Sequence, residues 1–174
     1  MPNHVSHKMM FINEAAKTLF MEMKTVSKDS DVLDFDYFIP TKKPWDDIDA
    51  IAKHGTKWGA YQQKAMEDKG NVSLYFDTAW STAVPVWEEI ADKYPDVDII
   101  IYYADEATGQ NLGVVRIMDG DVDFNECSNS SDVVKIEILN MVHEGVIHSV
   151  CGKCGYIGND QYSCECEYEE EGGI

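Results

Sequence analysis

Positive charge is what this chain has least of. Its 174 residues carry 14 Lys and Arg against 32 Asp and Glu, a formal net charge of −18. Proteins that grip DNA or RNA directly present a basic face, so this composition argues against direct nucleic-acid binding. Long apolar runs are missing too, and none approaches the roughly 20 residues of a membrane span. The opening Met1-Pro-Asn-His-Val-Ser-His lacks the basic-then-apolar layout of a secretory signal, so a cytoplasmic location is expected. No G-x-S-x-G elbow, P-loop or dinucleotide fingerprint occurs, which sets aside the enzymes built on those loops. Internal repeats are absent. What is present is core material: 44% hydrophobic and 11% aromatic residues, too much for a disordered acidic chain.

The charge is unevenly placed. Residues 1–70 hold 10 Lys and 11 Asp or Glu, a net of −1, whereas residues 71–174 hold 4 Lys or Arg and 21 Asp or Glu, a net of −17. Such a half either limits self-association as a solvated surface or docks on a positive one.

Periodicity orders the elements. Val5 to Ile12 reads as a strand, and Asn13 caps a helix to Val26 whose apolar stripe is Ala16, Leu19, Phe20, Met23 and Val26. Leu33, Phe35 and Tyr37 alternate with Asp34 and Asp36 as in a strand that Pro40 ends. Pro44 to Lys53 reads as a short helix with Trp45, Ile48 and Ile51 on one face. Asn71 to Asp77 is a strand. Ser81 or Thr82 then caps a helix to Tyr94, burying Val86, Trp87, Ile90, Ala91 and Tyr94. Val97 to Ala104 and Leu112 to Met118 are strands, and Asp119-Gly120-Asp121 is a turn. Ser131 or Asp132 starts a helix to His143, although Val134, Ile136 and Ile138 also alternate as in a strand. The tail from Tyr168 to Ile174 is acidic and expected to be solvated. This β-α-β-insert-β-α-β-β run predicts an α+β fold: a ferredoxin-like antiparallel sheet with helices on one face over residues 1–125. Residues 126–174, opened by a Ser/Asn-rich connector, form a small C-terminal module with the acidic tail.

Several short blocks occur in a familiar order: Met1-Pro-Asn-His-Val, Leu33-Asp-Phe-Asp leading to Ile39-Pro40, Gly55-Thr-Lys-Trp58 and Tyr75-Phe-Asp-Thr-Ala-Trp80-Ser81. Tyr94-Pro95, Tyr102 and Gly113 follow. Over residues 1–120 the chain thereby resembles the YubB ferredoxin-like family of small phage and mobile-element proteins. The resemblance implies a ferredoxin-like fold and an accessory origin, and it implies no catalytic residues. Ser81-Thr82-Ala83-Val84 delays Pro85 relative to the family pattern, which alters the entry to the following helix. Trp58 and Trp80 are expected in the core, with Gly55 at a turn; the competing reading is a surface loop presenting Lys57 and Trp58.

The cysteines lie outside the resemblance. Cys151-Gly-Lys-Cys154-Gly is followed nine residues later by Cys164-Glu-Cys166, with Cys127 alone upstream. A C-x-x-C turn delivers two thiolates to one tetrahedral metal, and Gly152 and Gly155 let the backbone wrap until N–H groups face sulfur. Cys151, Cys154, Cys164 and Cys166 therefore form a candidate structural zinc site, zinc-ribbon-like, in a segment too short to hold a core alone. The C-x-C half leaves room for a substitute donor, His148 first and His143 second. Disulfides suit a cytoplasmic chain poorly, and a redox C-x-x-C belongs at a helix N-terminus, where Gly155 does not fit. Cys127 is left as an unpaired, buried thiol.

Enzymatic readings are weaker. His143-Glu144-Gly-Val-Ile-His148 misses the zinc-protease H-E-x-x-H by one residue, and Gly145 breaks its helix. A deaminase needs His-x-Glu and Pro-Cys-x-x-Cys, and neither is present. Asp119, Asp121 and Asp123 resemble the start of a calcium loop, but Phe124 stands where its glycine belongs. The expected function is therefore non-enzymatic: an acidic, phage-type accessory protein that binds and inhibits a basic nucleic-acid-binding host protein, in its most specific form an RNA-guided defence nuclease, as anti-CRISPR proteins do. The candidate contacts are Asp96, Asp98, Asp105, Glu106, Asp119, Asp121, Asp123 and the tail glutamates. The alternatives are a metal-dependent enzyme with an open zinc at His143, Glu144 and His148, and a passive regulatory binding module.

Overall fold

Alternation of buried and half-exposed residues runs without a break along β1 (His4–Phe11), which turns Val5, His7, Met9 and Phe11 inward. The computed structural model describes residues 3–26, 31–43, 46–106, 109–143 and 145–159. The tail glutamates, Trp45, Glu144, Cys164 and Cys166 lie outside the described residues. Asn13 caps α1 (Glu14–Val26) as expected. Its Oδ1 accepts the N–H of Ala16 at 2.9 Å and that of Asp98 at 3.1 Å, so one amide ties the helix to a later strand.

The next segment overturns the expected strand at 32–39. Asp34 instead caps a single turn, α2 (Phe35–Phe38), by accepting the N–H of Asp36, and the Ile39 N–H closes the turn on Phe35 O at 2.9 Å. Strand pairing is pre-empted because Gln63 Oε1 takes the N–H groups of both Val32 and Leu33, at 2.9 and 2.8 Å. Leu33, Phe35 and Phe38 are all buried, a helical spacing that the Asp-Phe-Asp-Tyr alternation concealed. In α3 (Asp47–His54) the cap is Asp46, and the C-terminus ends on Gly55 in the left-handed region. The expected apolar face is also reversed. Ile48 is 80% exposed, and Ala50 and His54 are the buried residues.

Two hairpins share one turn chemistry. β2 (Tyr61–Asp68) and β3 (Asn71–Ala79) are joined by Lys69-Gly70, both at positive φ. After α4 (Val84–Lys93) and β4 (Ile99–Asp105), β5 (Leu112–Met118) returns through Asp119-Gly120, again both at positive φ, into β6 (Asp121–Glu126). The cap of α4 is Ala83 rather than Ser81 or Thr82. Thr82 Oγ1 is engaged by the Trp87 indole N–H at 3.0 Å, and Ser81 donates to Gly55 O. Among the described residues the C-terminal part comprises α5 (Asp132–Val142), a helix as expected, and a hairpin of β7 (His148–Val150) with β8 (Ile157–Asn159).

The large sheet is antiparallel throughout, in the order β2-β3-β1-β4-β5-β6. Its first four strands interleave two split βαβ units, β1-α1-β2 and β3-α4-β4, with α2 and α3 inserted in the first. One face packs under α1, α4 and the α2 turn, where Phe20, Phe35, Trp87, Met9, Leu74, Phe76 and Ile101 are fully buried. Each such side chain contributes about 1.5–3 kcal/mol. On the opposite face Ala104 and Leu112 meet Ile138, Leu139 and Val142 of α5, together with Cys127 and Ile157. That second cluster anchors the hairpin beside the sheet. Cys127 is the buried thiol expected of it.

Candidate functional site

The C-x-x-C falls at the turn of the β7–β8 hairpin. Cys151 donates its N–H to Tyr156 O at 2.8 Å, and Gly155, at φ +74°, donates to Cys151 O at 2.9 Å. The Lys153 N–H lies 3.4 Å from Cys151 Sγ and points at it. An N–H directed at sulfur is what a metal-bound thiolate needs to spread its charge, so the turn fits a thiophilic metal. Cys164 and Cys166, the other half of the expected set, lie outside the described residues. Among the described residues no group of three or more His, Cys, Asp or Glu is placed to hold a metal ion.

His148 opens β7, and its ring meets His143, the C-terminal cap of α5. His143 Nδ1 stands 3.3 Å from His148 Nε2. Asn140 Oδ1 accepts both the backbone N–H of His148, at 2.9 Å, and its Nδ1–H, at 3.0 Å. That fixes the tautomer and leaves the Nε2 lone pair facing His143. Burial, and secondarily the neighbouring ring, holds the His143 pKa below its ordinary value.

The seven acidic positions divide by location. Asp96 and Asp98 precede β4, Asp119 and Asp121 flank the β5–β6 turn, and Asp123 sits across from Arg116 in the register. These five share one end of the sheet. Asp98 grips Arg116 with two bonds, 3.3 Å to Nε and 3.0 Å to Nη2. Asp98, then Asp119 and Asp123, raise the Arg116 pKa further. Arg116 is the one arginine in the chain. Asp105 and Glu106 lie at the other end of β4, roughly 20 Å away at about 3.3 Å per residue. There Asp105 is buried beside Asn111, and Glu106 accepts the His4 N–H.

Trp58 and Trp80 are not core residues. They are 36% and 47% exposed. The Lys57 ammonium lies 5.8 and 5.5 Å from their ring centres and 3.1 Å from Asp47. Trp58 leans edge-on against Tyr61, whose hydroxyl meets His4 Nδ1 at 2.6 Å. The surface reading of the Gly-Thr-Lys-Trp block is the correct one, and Gly55 does make the turn.

Residues 57–141 match the family model of the ferredoxin-like domain in Api92-like protein. With the β2-β3-β1-β4 order already in place, that decides the architecture. The fold is ferredoxin-like. The matched segment begins at Lys57 and takes in β2 to β6 and nearly all of α5. No curated protein and no solved structure matches the chain. Within the ferredoxin-like frame, the feature that sequence reasoning missed is Asn140 as the group that orients His148. Its signal was present, since Asn140 lies one helical turn before His143 and eight residues before His148.

Proposed function

We propose that this chain is an acidic accessory protein of phage or mobile-element origin, akin to the YubB ferredoxin-like proteins. In this reading it acts in the host cytoplasm by binding and inhibiting a host protein with a basic nucleic-acid-binding surface, in the most specific form an RNA-guided defence nuclease. The observation that carries the reading is the grouping of Asp96, Asp98, Asp119, Asp121 and Asp123 at one end of the sheet, where Asp98, Asp119 and Asp123 act on a single arginine. Carboxylates at that density can occupy positions that phosphates otherwise fill on a basic channel. The C-x-x-C turn supports a structural zinc held by Cys151, Cys154, Cys164 and Cys166. Four thiolates would close the shell and leave the metal no open position. The zinc would stiffen the hairpin beside α5.

Affinity capture from host lysate tests the reading. The immobilised protein is expected to retain a basic nucleic-acid-binding protein that single-stranded DNA displaces. A D96N/D119N/D121N/D123N variant should retain much less of it. Capture that DNA does not compete with, or that survives the four substitutions, counts against it. For the metal, native mass spectrometry should find zinc that is lost on replacing Cys151 and Cys154 with Ser.

A further inference from the structure

We propose that the Trp58 and Trp80 rings form a seat for an arginine side chain of a basic partner protein, a place that the Lys57 ammonium fills until the partner docks. Both indoles stand well out of the core, 36% and 47% exposed. Both already face one cation. Lys57 Nζ lies 5.8 Å from the centre of the first ring and 5.5 Å from that of the second, within the reach of cation–π attraction. The pair is therefore placed to hold positive charge, and indole is the aromatic face that holds it best. A guanidinium suits this position better than an ammonium, because it is planar, more weakly hydrated and stacks on aromatic rings. Asp47, 3.1 Å from the Lys57 ammonium and half exposed, is an acceptor that Lys57 can keep as it turns outward.

The surroundings favour a cation. Tyr61, edge-on to Trp58, has its pKa pushed up to about 12 by burial and then by the charges of Asp77 and Glu106. Asn111 links Trp80 to Asp105, its Nδ2 lying 3.1 Å from Trp80 O and 3.4 Å from Asp105 Oδ2. Asp47, Asp77, Asp105 and Glu106 thus outnumber Lys57 and His4 around the two rings, which draws a basic partner and repels an anionic one. Trp80 also adopts its exposed position at a cost. Its φ of +75° lies in the left-handed region that bulky residues avoid, and its N–H is held on Asn3 O at 2.9 Å. Strain of this kind in a residue outside the hairpin turns gathers at binding sites. Trp and Arg are the residues that dominate the centres of protein interfaces. The inference rests on the reading above that the partner is basic, and it gives Asp105 and Glu106, which lie apart from the other acidic contacts, a place in the same docking.

Titration of the full chain with acetylated hepta-arginine amide, and with the matching lysine peptide, tests this. Indole N–H NMR is the first readout. Hepta-arginine should shift the Trp58 and Trp80 signals and leave that of Trp87, which is fully buried, unmoved. Unmoved Trp58 and Trp80 signals overturn the proposal. In W58L/W80L the affinity for hepta-arginine should fall about 5- to 30-fold, the loss expected of two exposed cation–π contacts, and the preference for arginine over lysine should disappear. An unchanged affinity or preference overturns it. Lys57→Gln should tighten hepta-arginine binding in the parent and do so less in W58L/W80L. Weaker binding in Lys57→Gln would make the lysine itself the contact, and the seat would fall. In D96N/D119N/D121N/D123N the indole shifts and the arginine preference should persist; their loss there overturns the proposal. A chain that keeps both but captures no nucleic-acid-binding protein from lysate defeats only the reading above.

Discussion

Replacing His7 by Phe should remove most of the sensitivity of this fold to mild acid. His7 lies in the middle of β1 with 1% of its surface exposed, stacked 4.6 Å from Phe76 with the rings 6° from parallel. Among the described residues neither ring nitrogen has a hydrogen-bond partner of good geometry. Burial drives its pKa down to about 3, and the backbone of Val5 and Phe76 offsets this only in part. In the unfolded chain the value is about 6.5. The unfolded state therefore takes up a proton below pH 6.5 that the folded state refuses until pH 3. Stability from this residue is complete above pH 6.5 and falls by about 1.4 kcal/mol per pH unit down to pH 3. Between pH 7.5 and pH 5 the loss comes to about 2 kcal/mol. Urea unfolding at the two pH values, on the parent and His7→Phe proteins, measures it. His143 titrates in the same direction and Asp77, raised by burial, in the opposite one, so the difference between the two proteins isolates His7. Phe preserves the stack and leaves no unpaired nitrogen, so stability at pH 7.5 should change by less than about 1 kcal/mol. Equal acid losses in the two proteins would refute the reasoning, because some other group would then carry the proton uptake.

Gly113→Ala should destabilise by roughly 2 kcal/mol or more in the same urea assay, since a Cβ there would stand 2.3 Å from Asn125 O and 2.6 Å from Tyr103 Oη. A change under about 0.5 kcal/mol would mean that β5 and β6 separate more easily than the register implies. Arg116→Gln should cost less than about 1 kcal/mol, because its pair with Asp98 is half exposed, yet it should tighten partner binding by making that end more negative. Weaker binding in that variant would make Arg116 itself a contact.

The central strands and their helices were legible because burial on one face forces a period that the sequence cannot hide. β1, α1, α4, β4 and β5 all came from that signal. The two edge strands were not. β2 has one neighbour and a mostly exposed Gln-Gln-Lys-Ala-Met-Glu-Asp, and β6 lines its edge with Asp121, Asp123 and Glu126. Charge on an edge prevents pairing with other chains and erases the apolar pattern by the same act. The readable sign was in the turns, Lys69-Gly70 and Asp119-Gly120, both of a hairpin type that needs two residues at positive φ. The strand expected at 32–39 failed because a side chain sixty-odd positions into the chain, Gln63, claims its backbone donors, and pattern reasoning sees no such contact. At the candidate site, the Gly-rich C-x-x-C was legible as a tight turn from spacing alone. The convergence of His143 with His148 required the loop geometry between α5 and β7.

The salt dependence of partner binding tests the central claim most directly. With the captured basic protein, affinity is measured from low to high ionic strength for the parent chain and for the D96N/D119N/D121N/D123N variant. Docking of the acidic end on a nucleic-acid-binding surface predicts a steep fall in affinity with salt for the parent and a much shallower one for the variant. Salt-independent binding, or equal slopes for the two proteins, would contradict it.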